Sequence, residues 1–265
     1  MTTLRHRVLQ PLCEADPLAK ARLTLDLPLQ GPVGAEAVID LPAGIPGRPA
    51  RPQLRRATEI ALPSLREERG RAALVHSIVH IELNAIDLAL DIVCRFAGMP
   101  EVFYTEWVAI AKEEALHFSL LREHLCSYGF DYGDFDAHNG LWDMAERTRG
   151  DILARIALVP RTLEARGLDA SPQVKKKLEG AGDAAAGPIL DIILRDEIGH
   201  VAVGNRWYRW LCAQRGLEPV ATYTELVQRY QAPRLRQPFN WEARRLAGFE
   251  EAELNALQAQ GSAAR

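Results

Sequence analysis

Apolar residues recur at helical spacing from position 75 onward. Val75, Ile78, Val79, Ile86 and Val93 fall on one stripe, the three- and four-residue recurrence that gives a helix its buried face. Ser64-Leu65-Arg66-Glu67 stands before them and reads as a capping box, so a helix is expected to open at about Leu65. Gly98 offers a stop, and Pro100 suits the first turn of a second helix running to about Tyr128, with Gly129 as its end. Residues 129–140 read as a loop. A third helix is expected from about Leu141 to Arg166, kinked at Pro160 because proline lacks an amide donor and crowds the preceding turn. Ser171-Pro172 opens a short helical piece. A fourth long helix covers about Asp183 to Arg215, with Gly187-Pro188 as a bend or as its true start. No strand pattern appears between 64 and 215.

The flanks differ. Residues 1–29 suggest one or two short helices broken near Asp16-Pro17, and 30–63 form a run rich in Pro, Gly and Arg that reads as an extended surface arm. Residues 216–265 hold two weaker helical patches around a Pro/Arg segment from Ala232 to Pro238. The chain therefore divides into an N-terminal part (1–63), four long helices (64–215) and a C-terminal helical extension (216–265). An all-α four-helix bundle with one longer middle connection is the ferritin-like plan.

Composition changes this picture little. Apolar residues make up 48% and charged residues 25% of the 265, and the net charge of −3 excludes a generally basic, nucleic-acid-coating chain. Cys13, Cys94, Cys126 and Cys212 lie far apart, with no CxxC pair, so neither a zinc ribbon nor a disulfide framework is expected. With no signal-peptide pattern and no long apolar run, a cytoplasmic protein is expected.

The chemistry lies in two Glu-x-x-His motifs, Glu114-Ala115-Leu116-His117 and Glu197-Ile198-Gly199-His200. Residues three apart share a helix face, so each motif aims a carboxylate and an imidazole the same way, a donor set that divalent transition metals accept. A further glutamate precedes each: Glu82 stands 32 residues before Glu114, and Glu164 stands 33 before Glu197. Glu82, Glu114 and Glu197 interrupt apolar stripes, where a carboxylate is costly unless paired or metal-bound. Glu164 has the weakest setting, and Glu146 is an alternative to it. Four glutamates and two divalent cations balance in charge. Glu113 and Asp196, each one residue before a motif glutamate, could orient the histidines or could be surface charges. His76, His80, His124 and His138 are expected to be structural or exposed, and His6 lies near a mobile end. Tyr104, Trp207 and Tyr208 are expected to pack rather than to carry electrons.

The segments HIELNAIDLALD, EEALHF, LVPRTLEARGLD and RDEIGHVAVGNRWYRWLC together resemble a bacterial family of ferritin-like proteins catalogued as domain of unknown function 455. The resemblance covers nearly the whole chain. It implies a ferritin-like fold with a dinuclear metal site at Glu82, Glu114, His117, Glu164, Glu197 and His200, which are then both metal ligands and catalytic residues. More distantly, the ligand pattern resembles the di-iron hydroxylases, including a tRNA-modifying one. Three functions are compatible. The first is an oxygen-dependent oxidase or hydroxylase with two iron ions, or manganese or a mixed pair, acting on an unnamed small-molecule or macromolecular substrate. The second is a non-catalytic iron-handling protein. The third is a partner-binding protein with a structural metal, in which Arg48, Arg51, Arg55 and Arg56 with Arg229, Arg234, Arg236, Arg244 and Arg245 attract RNA or an acidic partner; solvated arginines are the simpler expectation. A homodimer fits any of them.

Overall fold

The computed structural model describes residues 2–60, 63–233 and 235–262; Arg234 of the Pro/Arg segment lies outside them. Their regular structure is helical, with no strand among them and a single parallel bridge between Leu54 and Ala137. No helix among them is long and apolar enough to cross a membrane. Two compact units are present, Met1–Trp142 with Leu178–Ile189, and Asp143–Lys177 with Leu190–Arg265.

In the first unit, α1 (Leu4–Arg7), α2 (Leu9–Cys13) and α3 (Pro17–Leu25) precede two long helices, α4 (Glu68–Arg95) and α5 (Glu101–Ser127). The short link through Gly98 turns α5 back along α4, and α3 packs against both. Helix α4 is buried on nearly every side, which is why its sequence is apolar well beyond a single stripe. It opens at Glu68 rather than Leu65, and the capping box does not form. The Glu67 amide instead donates to the Ser64 carbonyl at 3.0 Å, closing a turn. A Cβ on Gly70 would stand 2.0 Å from that same Ser64 oxygen, so only glycine lets the turn fold back over the first helical residues.

The arm is extended, as expected, apart from a short 3-10 turn at Ala57–Glu59. It is docked along its length. The Gly47 amide donates to Leu12 O at 2.8 Å, Lys20 Nζ donates to Gly47 O at 3.0 Å, and residues 53–55 exchange backbone bonds with Ala137. Arg5, fully buried, donates to Gly34, Ala35 and Ala37 in the arm and to Val93 and Cys94 at the end of α4.

The expected third helix is divided. Helix α6 (Gly140–Arg147) ends before Gly150, and α7 (Ile152–Leu158) starts afresh with Asp151 accepting the Leu153 amide at 3.0 Å. Buried Arg155 fixes the break by donating to Thr148 Oγ1 at 3.0 Å and Ala145 O at 2.6 Å. Pro160 does not kink an α-helix; it begins a π-helical segment, Val159–Glu164, which removes the need for the amide that proline lacks. Helix α8 (Ala165–Gly180) follows and carries Pro172 inside it rather than at its start. Helix α9 (Ala186–Gln214) begins where the Asp183 carboxylate accepts the Ala186 amide at 3.1 Å, so Gly187-Pro188 lies in the first turn, where proline costs no bond. The extension adds α10 (Pro219–Arg229), α11 (Trp241–Leu246) and α12 (Glu251–Ser262). In the second unit Ala165, Leu168, Val201, Ala243 and Ala247 form a shared core of α8, α9 and α11.

Candidate metal centre

The first unit brings Glu82 of α4 together with Glu114 and His117 of α5. All three are buried, and each offers a donor atom within 4.8 Å of the other two. His117 Nδ1 lies 3.4 Å from an oxygen of each carboxylate. Burial, followed by the neighbouring Glu114 charge, pushes the Glu82 carboxyl up to about 8. Burial alone would lower the His117 imidazole, but the two carboxylates outweigh it and raise it to about 11. Two carboxylates taken out of water around one imidazole make a pocket that holds positive charge. Glu82 Oε2 is buried, with the long 3.4 Å approach of His117 Nδ1 beside it. A carboxylate oxygen in that position fits a divalent metal, and the N/O donor set suits iron, manganese or zinc. One turn before Glu114, Ile110 and Ala111 are buried on the same stripe of α5, and two turns before it Trp107 is too, so water is excluded from that side.

In the second unit Glu197 and His200 are likewise buried, with His200 Nδ1 4.0 Å from the Glu197 carboxylate, as the i, i+3 spacing on α9 dictates. Gly167 of α8 stands against Glu197, and a Cβ there would lie 3.9 Å from the carboxyl carbon. Glu164 is half-buried at the last position of the π-helical segment. Such segments interrupt the i→i+4 ladder and re-aim side chains, and they collect at functional positions. Glu146, the alternative, forms an exposed pair with Arg149 at 3.6 Å.

The remaining expectations divide. Asp196 accepts both guanidinium nitrogens of Arg195, at 2.7 and 3.0 Å, and Glu113 is exposed. Tyr104 and Tyr208 pack, with hydroxyls donating to Phe96 O at 2.9 Å and Pro219 O at 2.6 Å. His76 and His80 are core residues. His76 accepts the Gly133 amide at 3.0 Å, His80 bonds the Tyr132 hydroxyl at 2.8 Å, and Tyr132 stacks over both rings. Burial lowers both imidazoles to about 4. Three of the nine arginines named above have carboxylate partners: Arg244 is buried against Asp169, Arg245 pairs with Glu251, and Arg55 lies 3.5 Å from Asp136.

The sequence reading missed a second polar row on α4. His76, His80, Asn84, Asp87 and Asp91 are all buried, and Lys20 pairs with Asp87. The signal was present in their four-, four-, three- and four-residue spacing, a polar stripe on a helix with no solvent face. A cleft of about 640 Å³ in the same unit is lined by Ile60, Arg69, Ser77, His80, Phe135 and His138, within the size range of small-molecule sites.

The chain is 43% identical over 269 residues to a Haemophilus influenzae protein named "Uncharacterized protein", covering 96% of this chain and 93% of that one. No solved structure matches it. Residues 13–255 match a family model, so the chain belongs to the family described as Protein of unknown function (DUF455).

Proposed function

We propose that this protein is a ferritin-like dinuclear metal protein and acts as an oxygen-dependent oxidase or hydroxylase. One observation carries the reading: Glu82, Glu114 and His117 converge, fully withdrawn from water, with their donor atoms within 4.8 Å of one another. A structural ion pair would need only one carboxylate for one imidazole. A second buried carboxylate adds desolvation cost that a divalent cation offsets. The Glu197/His200 pair, preceded by Glu164, repeats the same donor set along the chain, which supports a second ion.

Two ions of iron, or of manganese, would supply the electrons that activate oxygen. The chain's own contribution is separate. Its carboxylates would compensate the metal charge, its two imidazoles would give nitrogen donors, and the Trp107–Ala111 stripe keeps water from that face of α5.

The test begins with metal analysis of protein purified without chelators, beside Glu114→Ala and His200→Ala variants. About two iron or manganese ions per chain are expected, with loss in both variants. Anaerobic ferrous loading followed by oxygen then separates a catalyst, which turns over with a reductant, from an iron store, which accumulates ferric mineral. No stoichiometric transition metal after reconstitution would sink the proposal.

A further inference from the structure

Arg161 lies in the π-helical segment three residues before Glu164 and is only 4% exposed. Its guanidinium lies over the rings of Tyr208, Tyr223 and Phe249 at 4.7, 4.6 and 5.0 Å, and Nη2 donates to Glu253 of α12. An arginine withdrawn into three aromatic faces with one carboxylate is fixed in direction as well as in place. Glu253 is held in turn, since it accepts the Glu250 amide at 2.9 Å and lies 3.7 Å from Arg209 Nη1. Thr162 adds two further ties: Oγ1 donates to Ala157 O, five residues back, at 2.7 Å and pairs with the Tyr223 hydroxyl at 2.9 Å. Gly204 of α9 admits the proline at the start of the segment, because a Cβ there would stand 3.2 Å from Pro160 Cβ.

These contacts converge on six residues that end at Glu164. One residue of an α-helix corresponds to roughly 100° of rotation. A π turn holds one more residue than an α turn, so relaxation to α geometry would swing Glu164 through about that angle. Intrinsic preference does not favour the π form. Tyr223, Phe249 and Glu253 belong to the extension after residue 215, which gives that extension a task within the second unit.

We propose that Arg161, Glu253 and Tyr223 form a lock through which the C-terminal helices set the direction of Glu164. They are positioning residues for the metal centre, and this role rests on the dinuclear reading above. The test uses the full chain with cobalt(II) as probe. Glu253→Ala removes the anion of the lock and Tyr223→Phe removes one hydroxyl; neither changes a ligand. Amide exchange over residues 159–166 is expected to quicken about tenfold or more in Glu253→Ala, with α4 and α5 unaffected. That arm needs no metal. Cobalt affinity, read from the visible ligand-field band, is expected to fall about 10–100-fold, as in Glu164→Ala, and to recover largely in Glu253→Gln, which keeps an acceptor for Arg161. A merely structural role would lower the melting temperature and leave the cobalt band and affinity alone; that result overturns the proposal, as does unchanged exchange. Wild-type protein that binds no cobalt removes the dinuclear reading and the positioning role with it, and it is distinguished from failure of the lock by the exchange arm. Where Glu253→Ala does not fold, Tyr223→Phe carries both arms with smaller changes of the same sign.

Discussion

Replacing Arg5 with alanine should remove a large share of the stability of the first unit. Arg5 is fully buried, and its guanidinium donates to five backbone carbonyls. Two of these, Val93 and Cys94, close α4, where free carbonyls concentrate the negative end of the helix dipole. Truncation strips both of these buried acceptors of their donor, at about 1–3 kcal/mol each. It also removes the guanidinium stacked 4.8 Å over Tyr104. The three arm carbonyls are partly accessible and can recover water, so they add less. The sum is about 3–6 kcal/mol, against the roughly 5–15 kcal/mol that holds a typical domain. Arg5→Lys should recover little, because one ammonium cannot span carbonyls on two segments as a planar fork does. Urea unfolding followed by far-ultraviolet circular dichroism measures the difference, with exposed Arg7→Ala as the control. An Arg5→Ala protein within about 0.5 kcal/mol of wild type would refute the view that this residue ties the arm to the helix end.

Other outcomes follow from single sites. Gly70→Ala places a Cβ 2.0 Å from the Ser64 carbonyl; the turn at 64–67 must move, and a loss of about 1–3 kcal/mol is expected in thermal melts. Arg244→Ala breaks a buried pair with Asp169 and should cost about 3–5 kcal/mol, whereas Arg245→Ala, exposed beside Glu251, should stay within about 0.5 kcal/mol; equal effects would contradict the burial argument. His76 and His80 are held neutral, with imidazoles lowered to about 4. The unfolded chain binds their protons first, so stability should fall as pH drops from about 6.5 towards 4, by up to about 1.4 kcal/mol per pH unit for each ring. Urea titrations at several pH values should show a shallower slope for His76→Gln.

Side chains tied by helix spacing were legible in the sequence, and side chains tied by remote partners were not. Glu114 and His117 must share a face once α5 exists, and Glu82 meets them because α4 and α5 are joined by a short turn. The start of α4 and the break before α7 escaped because tertiary contacts decide them. Ser64 turns back over a glycine six residues on, and Arg155 stabilises a break seven residues before it. Arg244 and Arg245 are neighbours with the same side chain, yet one is a buried strut and the other a surface charge; only the helix phase of α11 against Asp169 separates them. The row from His76 to Asp91 was readable as a pattern but not as an environment, since its partners Lys20, Tyr132 and Gly133 lie in other elements.

Glu164 joins both cases. Pro160 announces that something must happen to the helix, but a kink, a stop and a π turn aim Glu164 differently, and local sequence does not choose among them. Within the π-helical segment Arg161 donates to Glu253, 92 residues beyond it. A proposed ligand position can therefore be read as a residue type and a spacing, while the segment that carries it is held by a contact that no local pattern contains.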